Sequence, residues 1–294
     1  MVAAIRPLSD FIAMNIIFLT SESTHQYYLI NEVHKLYPVR KVFLQRRIPQ
    51  PRSLANRLKR LWKPSAVAGG IRSILENVLF RRDSQLEYEF EKRRFFSGRT
   101  PGLDPSIPIE YVHSFNDSAA LARVAEEEPD IAIVFGTEIL RGAILDTARI
   151  AMLNIHRAIV PHYRGGGHPF WAFYHGDFDN IGTTVHVCVN QLDGGDIVGQ
   201  GHYALSAYDR VFMLRYHTTM IALGILRRVI PRLIDGTIEY TRQTPGGKTW
   251  RARDLTIWKQ IVARWRFRRH VRGLKRTEGG RTSYPAARRG AVSE

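Results

Sequence analysis

Three polar residues in the middle of the chain have the types and spacing needed for chemistry at a carbonyl group. Asn154 and His156 are separated by one residue at the end of an apolar run, so in a strand both side chains project to the same side. Asp193 follows later, in the turn sequence Asp193-Gly-Gly-Asp196. An asparagine N–H can donate to an oxyanion, and histidine can exchange a proton near neutral pH. A nearby carboxylate would raise the pKa of that histidine and fix its tautomer.

Other reaction chemistries find little support. The sequence has no Gly-x-Ser-x-Gly pattern, and Cys188 lies on a predicted strand, so no covalent nucleophile is expected. A single cysteine also excludes an intramolecular disulfide and a cysteine-rich zinc site, and we expect no metal. No glycine-rich nucleotide-binding motif follows the first strand, where the chain reads Thr20-Ser-Glu-Ser-Thr24. These features favour transfer to an attacking amine without a covalent intermediate.

The segments that must position these residues alternate between short apolar runs and helical patterns. Strands are predicted at residues 15–20, 39–44, 109–112, 130–136 and 151–155, with helices at 25–36, 119–128 and 143–147 between them. This alternation is typical of an α/β fold with a doubly wound, mostly parallel, Rossmann-like sheet. Ligands bind such sheets at the carboxyl ends of the strands, where Asn154 and His156 are expected.

The pattern changes in the second half of the chain. Residues 183–190 alternate with period two, which places His186 and Cys188 on one face of a strand and Val185 and Val187 on the other. A second extended segment follows at 197–205, and residues 208–234 predict a long helix. We therefore expect Asp193 on the connection between two neighbouring extended segments.

The charge of the chain is strongly positive and unevenly distributed. The net charge is +16, with 16 basic and 5 acidic residues in 40–99 and 15 basic and 3 acidic residues in 241–294. Such segments attract nucleic acid, anionic lipid or anionic substrates, or else form a solvated surface. Hydrophobic residues make up 44%, enough for a core, and no apolar run is long enough for a membrane-spanning helix.

These patterns divide the chain into expected regions. Residues 1–13 are expected to be an unstructured extension, and translation could start at Met1 or Met14. A catalytic domain is predicted at 14–236, with a basic helical insertion on its surface at 46–105. A short C-terminal extension is expected at 237–273 and a disordered basic tail at 274–294. The N-terminal residues match a secretory signal peptide only weakly, and the chain has a single cysteine. Both features favour a cytoplasmic protein.

Several short motifs follow one another in a recognisable order. They are Leu153-Asn-Ile-His156, Pro161-His-Tyr-Arg-Gly165, His168-Pro-Phe-Trp171, Gly176-Asp177, Gly182-Thr-Thr-Val-His186 and Leu192-Asp-Gly-Gly195. In this order the chain resembles the folate-dependent formyltransferase family, most strongly over residues 130–205. That family includes enzymes acting on glycinamide ribonucleotide, on methionyl-tRNA and on sugar nucleotides. The resemblance implies the formyltransferase fold, 10-formyltetrahydrofolate as the donor, and Asn154, His156 and Asp193 as the catalytic residues.

The resemblance also implies where the donor and the acceptor bind. The pterin of the donor is expected against two loops, at Phe135, Gly136, Thr137, Ile139 and Leu140 and at Asn190, Gln191 and Leu192. Acceptor-binding residues are expected at Tyr163, Arg164, Gly165, Trp171 and His186. The family usually has Ser-Leu-Leu-Pro after the histidine, whereas this chain has Arg157-Ala-Ile-Val-Pro161, so the wall of the folate pocket is expected to differ.

The sequence favours a nucleotide-linked amino sugar as the small-molecule amine acceptor. Glu22 in the loop after the first strand would repel the phosphate of glycinamide ribonucleotide. The C-terminal barrel of the tRNA enzymes does not fit the 88 residues after Ser206, whereas residues 246–250 and 253–256 resemble an extension of sugar N-formyltransferases. The open alternatives are a tRNA enzyme that binds nucleic acid through its basic segments, a hydrolase of the formyl donor, and an inactive binding module. A homodimer is also an open expectation.

Overall fold

The computed structural model describes residues 14–46, 64–244 and 248–278. The strands are β1 (Ile16–Ser21), β2 (Val39–Gln45), β3 (Ile109–Val112), β4 (Ile131–Phe135), β5 (Ala151–His156), β6 (Arg164–Gly165), β7 (Gly182–Val187), β8 (Ile197–His202) and β9 (Thr249–Trp250). The α-helices are α1 (Thr24–His34), α2 (Pro64–Phe96), α3 (Ser118–Glu126), α4 (Phe170–His175), α5 (Leu214–Ile234) and α6 (Ile257–Glu278). Short 3-10 turns lie at Gly142–Asp146, Phe178–Asn180, Val211–Met213 and Ala252–Asp254.

Seven strands form one central sheet in the order β3-β2-β1-β4-β5-β7-β8. The first five are parallel, and β7 and β8 are antiparallel to their neighbours. Strands β6 and β9 form a separate two-stranded ribbon. The predicted doubly wound, mostly parallel α/β fold is confirmed.

The sheet has a hydrophobic core on both faces, which explains why its strands read as continuous apolar runs. Alternate residues of β1 separate accordingly: Ile16 and Phe18 pack with α1 and α5, whereas Ile17 and Leu19 pack on the side of α3. Every residue of β4 is buried. Strands covered on both sides lose the period-two signal of a half-exposed sheet, so run length and flanking turns carry the prediction.

The switch from parallel to antiparallel pairing brings polar residues together. In the register of β4 and β5, Val134 pairs with Asn154, at the carboxyl ends of both strands. In the antiparallel pair of β5 and β7, Asn154 lies opposite His186. Because paired residues of neighbouring strands point to the same face, these two side chains are neighbours.

Helix α2 corrects the interpretation of residues 46–105 as a surface insertion. Its last turns lie in the core: Phe95 is buried and stacks on Tyr28 with ring centroids 4.2 Å apart. Glu91 is fully buried, and both of its carboxylate oxygens accept hydrogen bonds from Arg215, at 2.5 and 2.8 Å. In the sequence, the charged residues of a buried ion pair cannot be distinguished from those of an exposed helix. The charge pattern therefore predicted a surface position for this helix.

Helix α6 closes the other side of the domain. Ala263, Phe267 and Val271 are buried in a third cluster around Trp171 and Phe173. The helix runs to Glu278, five residues beyond the boundary expected for the disordered tail. Residues 1–13 and 279–294 lie outside the described residues, so the expectations for them and the domain boundaries stay predictions. In the part of the chain that the structure describes, no helix could span a membrane.

Candidate active site

The three residues singled out from the sequence meet at the carboxyl ends of β4 and β5. Asn154 Nδ2 lies 3.1 Å from Asp193 Oδ1, and His156 Nδ1 lies 3.5 Å from Asp193 Oδ2. His186 joins them, with Nε2 at 3.1 Å from Asn154 Nδ2 and 3.4 Å from Asp193 Oδ1. These four residues form the polar cluster.

The turn between β7 and β8 fixes the carboxylate at the centre of the polar cluster. Asp193 has a φ of +49°, a left-handed conformation that aspartate tolerates better than most residues. Gly195 lets the turn close, because a Cβ there would lie only 1.9 Å from the carbonyl oxygen of Val187. Burial alone would raise the pKa of Asp193, but His156, His186 and the Gly165 N–H at 2.7 Å outweigh it and lower that pKa to about 2. Asp193 is therefore ionised at neutral pH.

A backbone carbonyl defines the tautomer of His156. Its Nε2 lies 2.7 Å from the carbonyl oxygen of Tyr163, which can only accept, so Nε2 carries the hydrogen. In the neutral ring, Nδ1 is then the basic nitrogen, and it faces Asp193. Burial lowers the pKa of His156, and the opposing effect of Asp193 does not overcome it. Asp193 raises this pKa, as expected, but burial outweighs its effect, and the carbonyl of Tyr163 rather than Asp193 fixes the tautomer.

The titration of His156 can be followed directly. Because burial lowers its pKa, we expect the ring to stay neutral until the pH falls below its usual value of 6.5. The unfolded chain takes up that proton first, so this residue should reduce stability as the pH falls below about 6.5. Asp193→Asn removes a charge that raises the pKa and should shift the midpoint lower still. NMR of ring carbons, assigned with His156→Gln, measures it; a midpoint above 6.5 would contradict the burial argument.

A cavity of about 600 Å³ opens over the polar cluster, and most of the predicted donor residues line it. Its apolar wall includes Phe135, Ile139, Leu140 and Leu192, and Gly136 and Thr137 lie in the same loop. Asn190 and Gln191 do not line the cavity. Asn190 Oδ1 accepts from Gly142 N at 3.3 Å, and the Gln191 side chain packs beneath Gly194.

The predicted acceptor residues separate into two groups. Gly165 and His186 line the cavity, whereas Tyr163, Arg164 and Trp171 are buried outside its lining. The Tyr163 hydroxyl donates to Asp177 at 2.9 Å, and Arg164 donates twice to Gln243 Oε1. Trp171 Nε1 donates to the carbonyl of Gly166 at 3.1 Å. These contacts hold the loop that carries the Gly165 N–H and the Tyr163 carbonyl, so the three side chains position the polar cluster from behind.

Sequence reasoning missed several residues of the cavity wall. His25 and Gln26 come from the start of α1, and Gln26 Nε2 donates to the carbonyl of Phe135 at 2.8 Å. A Cβ at Gly136 would lie 2.1 Å from that nitrogen, so this loop needs glycine there. His25 and Gln26 could have been predicted as cavity residues, because they follow the carboxyl end of β1. His168 lies edge-on to His156, with ring centroids 4.9 Å apart.

Arg157 directly follows His156, and the sequence indicated only that the wall of the pocket would differ here. It lines the main cavity and also a neighbouring cavity of about 240 Å³, which shares His168 with the first. Among the described residues, no carboxylate oxygen lies within 4 Å of its guanidinium nitrogens. Burial and the charge of Arg215 lower its pKa to about 10, although the carboxylates of Glu87 and Glu91 act in the opposite direction, so it remains charged at neutral pH. Arg157 thus offers a positive charge to a bound molecule.

Two chemistries find no support among the side chains around the cavity. Burial, with a contribution from Asp193, raises the pKa of Cys188 to about 12, so its thiol is protonated and not nucleophilic. Within residues 14–46, 64–244 and 248–278, no group of histidine, cysteine and acidic side chains has a metal-binding arrangement.

Comparison with known proteins agrees with the resemblance seen in the motifs. Residues 106–218 match the model of the family described as formyl transferase. A methionyl-tRNA formyltransferase of Limosilactobacillus fermentum is 29% identical over 143 residues, which cover 48% of this chain and 45% of the relative. The match thus spans less than half of the relative's length. Residues 106–218, the segment that matches the model of this family, contain the whole polar cluster.

Solved structures with the same fold extend the match to most of the chain. A sugar N-formyltransferase from a Shewanella species has 11% identity and a TM-score of 0.54, covering 86% of this chain and 87% of its own. An N-formyltransferase from Helicobacter canadensis, in complex with folinic acid and dTDP-3-aminofucose, has 13% identity and a TM-score of 0.54, covering 87% and 81%. At such low identity these matches establish the fold alone.

Proposed function

We propose that this chain transfers the formyl group of 10-formyltetrahydrofolate to the primary amine of a nucleotide-linked amino sugar. The observation that carries the proposal is the polar cluster, in which Asn154, His156 and Asp193 lie within hydrogen-bonding or ion-pairing distance at the base of a cavity. The family match over this segment and the folate and amino-sugar ligands of the Helicobacter canadensis enzyme support the same chemistry.

The apolar wall fits the donor. Phe135, Leu140 and Leu192 form an apolar surface beside the polar cluster, and Ile139 is 45% exposed although it is aliphatic. A flat pterin ring would cover such a surface, beside the loop of residues 136–138. The donor supplies the formyl group, and we propose that this wall holds it against Asn154.

The polar cluster divides the chemical work among three residues. As the acceptor amine attacks the formyl carbon, an N–H of Asn154 would donate to the developing oxyanion, replacing its contact with Asp193 or His186. Removal of one such donor costs about 3 kcal/mol in other enzymes. His156 Nδ1 would take the proton from the amine, and Asp193 Oδ2 would stabilise the imidazolium. The new carbon–nitrogen bond forms, the bond to the donor nitrogen breaks, and the proton passes to that leaving nitrogen.

Arg157 is expected to contribute to acceptor binding rather than to the reaction. The Arg157 side chain follows His156 and lines both cavities, and its positive charge suits a phosphate of the acceptor. Arg157→Met should raise KM for the acceptor about tenfold or more and leave kcat nearly unchanged, because the contact exists before and during the reaction. Steady-state kinetics measures both constants, with Arg123→Met on α3 as the control. A lower kcat at unchanged KM would contradict this role.

A methionyl-tRNA acceptor is the second candidate, favoured by the 29% identical relative and by the basic segments. Turnover of 10-formyltetrahydrofolate with dTDP- and UDP-linked amino sugars and with methionyl-tRNA tests both, between about 50 and 200 mM salt. A sugar nucleotide has two phosphates and should show a shallow salt dependence. Efficient, steeply salt-dependent formylation of methionyl-tRNA, with no turnover of amino sugars, would overturn the sugar acceptor and keep the formyl chemistry.

A further inference from the structure

Two neighbouring helices expose an unusual number of large apolar side chains. On α2 they are Ile74, Leu75, Val78 and Leu79, and on α6 they are Trp258, Ile261 and Trp265. Their exposed fractions lie between 42% and 71%. We call these seven residues the apolar face. Scattered apolar residues are normal on a protein surface, but a contiguous group of this kind marks an interaction site.

The apolar face is continuous because α2 and α6 lie side by side. Arg72 Nη1 and Nη2 donate to the carbonyls of Arg253 and Leu255, at 2.6 and 2.8 Å, near the start of α6. Further along, Gln260 Nε2 donates to Glu76 at 2.8 Å. Leu79, Ile261 and Trp265 line one groove between the two helices. The exposed apolar residues of α2 and α6 therefore meet in this groove.

Arginines border this surface at the carboxyl-terminal halves of both helices. The groove that contains Leu79 and Trp265 is also lined by Arg82, Arg268, Arg269, Arg272 and Arg276. Its acidic member, Asp83, is paired with Arg264 at 2.9 Å. The occupant of this surface must therefore be both apolar and anionic.

We propose that the apolar face and its arginine border dock on the surface of an anionic lipid bilayer. Tryptophan, leucine and isoleucine insert at the boundary between head groups and acyl chains, while arginines bind anionic head groups. A second copy of the chain would oppose like charges. A nucleic acid would satisfy the arginines and stack on the tryptophans, but it would leave Ile74, Leu75 and Val78 uncovered. The bilayer uses both features of the surface.

Flotation of the full chain with lipid vesicles tests the proposal. We expect binding to vesicles of phosphatidylcholine with phosphatidylglycerol, much weaker binding to phosphatidylcholine alone, and weakening by salt. The double variant Trp258→Ser/Trp265→Ser should bind the anionic vesicles about tenfold more weakly or worse. The control, Leu36→Ser/Tyr240→Ser, changes exposed residues on other elements and should bind like the unmodified chain. All of these side chains are exposed, so the melting temperatures should agree.

A second readout locates the inserted residues. Vesicles with brominated acyl chains should quench tryptophan fluorescence, and Trp258→Phe/Trp265→Phe should lose this quenching while still binding. Three outcomes would overturn the proposal. The first is no binding to anionic vesicles. The second is binding of a single-stranded oligonucleotide that the serine variant abolishes while vesicle binding persists. The third is self-association of the chain that the serine variant removes.

Discussion

Asp193→Asn is expected to reduce kcat by about a hundredfold or more, equivalent to about 2.7 kcal/mol of transition-state stabilisation. Asparagine tolerates the left-handed backbone of this turn, so the fold around the polar cluster should persist. The variant removes the negative charge that faces His156 Nδ1 at 3.5 Å and thus destabilises the imidazolium. Steady-state kinetics with 10-formyltetrahydrofolate and the amine acceptor measures the loss.

The turn itself provides the matched control. Asp196 is exposed at the other end of the same turn, and Asp196→Asn should leave kcat within about twofold, as expected for an exposed side chain outside the cavity. His156→Gln should be as damaging as Asp193→Asn. The double variant His156→Gln/Asp193→Asn should reduce kcat far less than the product of the two single reductions, because the residues act together. Near-normal kcat in Asp193→Asn would remove Asp193 from the mechanism.

Arg215→Met is expected to lower the free energy of unfolding by about 3–5 kcal/mol. The substitution leaves Glu91, which is fully buried, without its bidentate partner, and Glu87 without the arginine nitrogen at 3.0 Å. Burial already raises the pKa of Glu87 in the presence of Arg215. Urea denaturation at neutral pH measures the change.

A second variant distinguishes lost pairing from lost packing. Arg215→Met/Glu91→Leu replaces both charges by apolar groups and should recover part of the loss. Arg123→Met breaks a surface pair with Glu110 and should cost less than about 1 kcal/mol. A loss below about 1 kcal/mol in Arg215→Met would mean that α2 contributes little to the fold, as its charged sequence first suggested.

The sheet was predictable because its strands are short apolar runs that end at glycine or polar residues. The same argument placed Asn154 and His156 on one side of β5 and at its carboxyl end, where the structure has them. The approach of Asp193 could not be derived from spacing alone, since β7 is antiparallel to β5 and the turn folds back over the strand end. The family resemblance supplied that contact, and the structure contains it.

The features that the sequence did not predict depend on ion pairs between distant residues, on burial, and on side chains that support the site from outside the cavity. The burial of α2 rests on Glu91 and Arg215, two residues far apart in sequence. The lowered pKa of His156 depends on how completely the fold excludes water, which the neighbouring Asp193 does not reveal. Motif membership likewise did not separate Gly165, which lines the cavity, from Tyr163 and Trp171, which hold the loop from behind.

Transfer of a formyl group to an amine is the reaction that we propose for the polar cluster. The most direct test follows a ¹³C-labelled formyl group from 10-formyltetrahydrofolate by mass spectrometry, with a nucleotide-linked amino sugar present. We expect one labelled formamide for each tetrahydrofolate released, and loss of both products in Asp193→Asn. Label recovered as formate at the same rate with and without the acceptor would mean that the chain hydrolyses the donor. No release of tetrahydrofolate with any amine would contradict formyl transfer altogether.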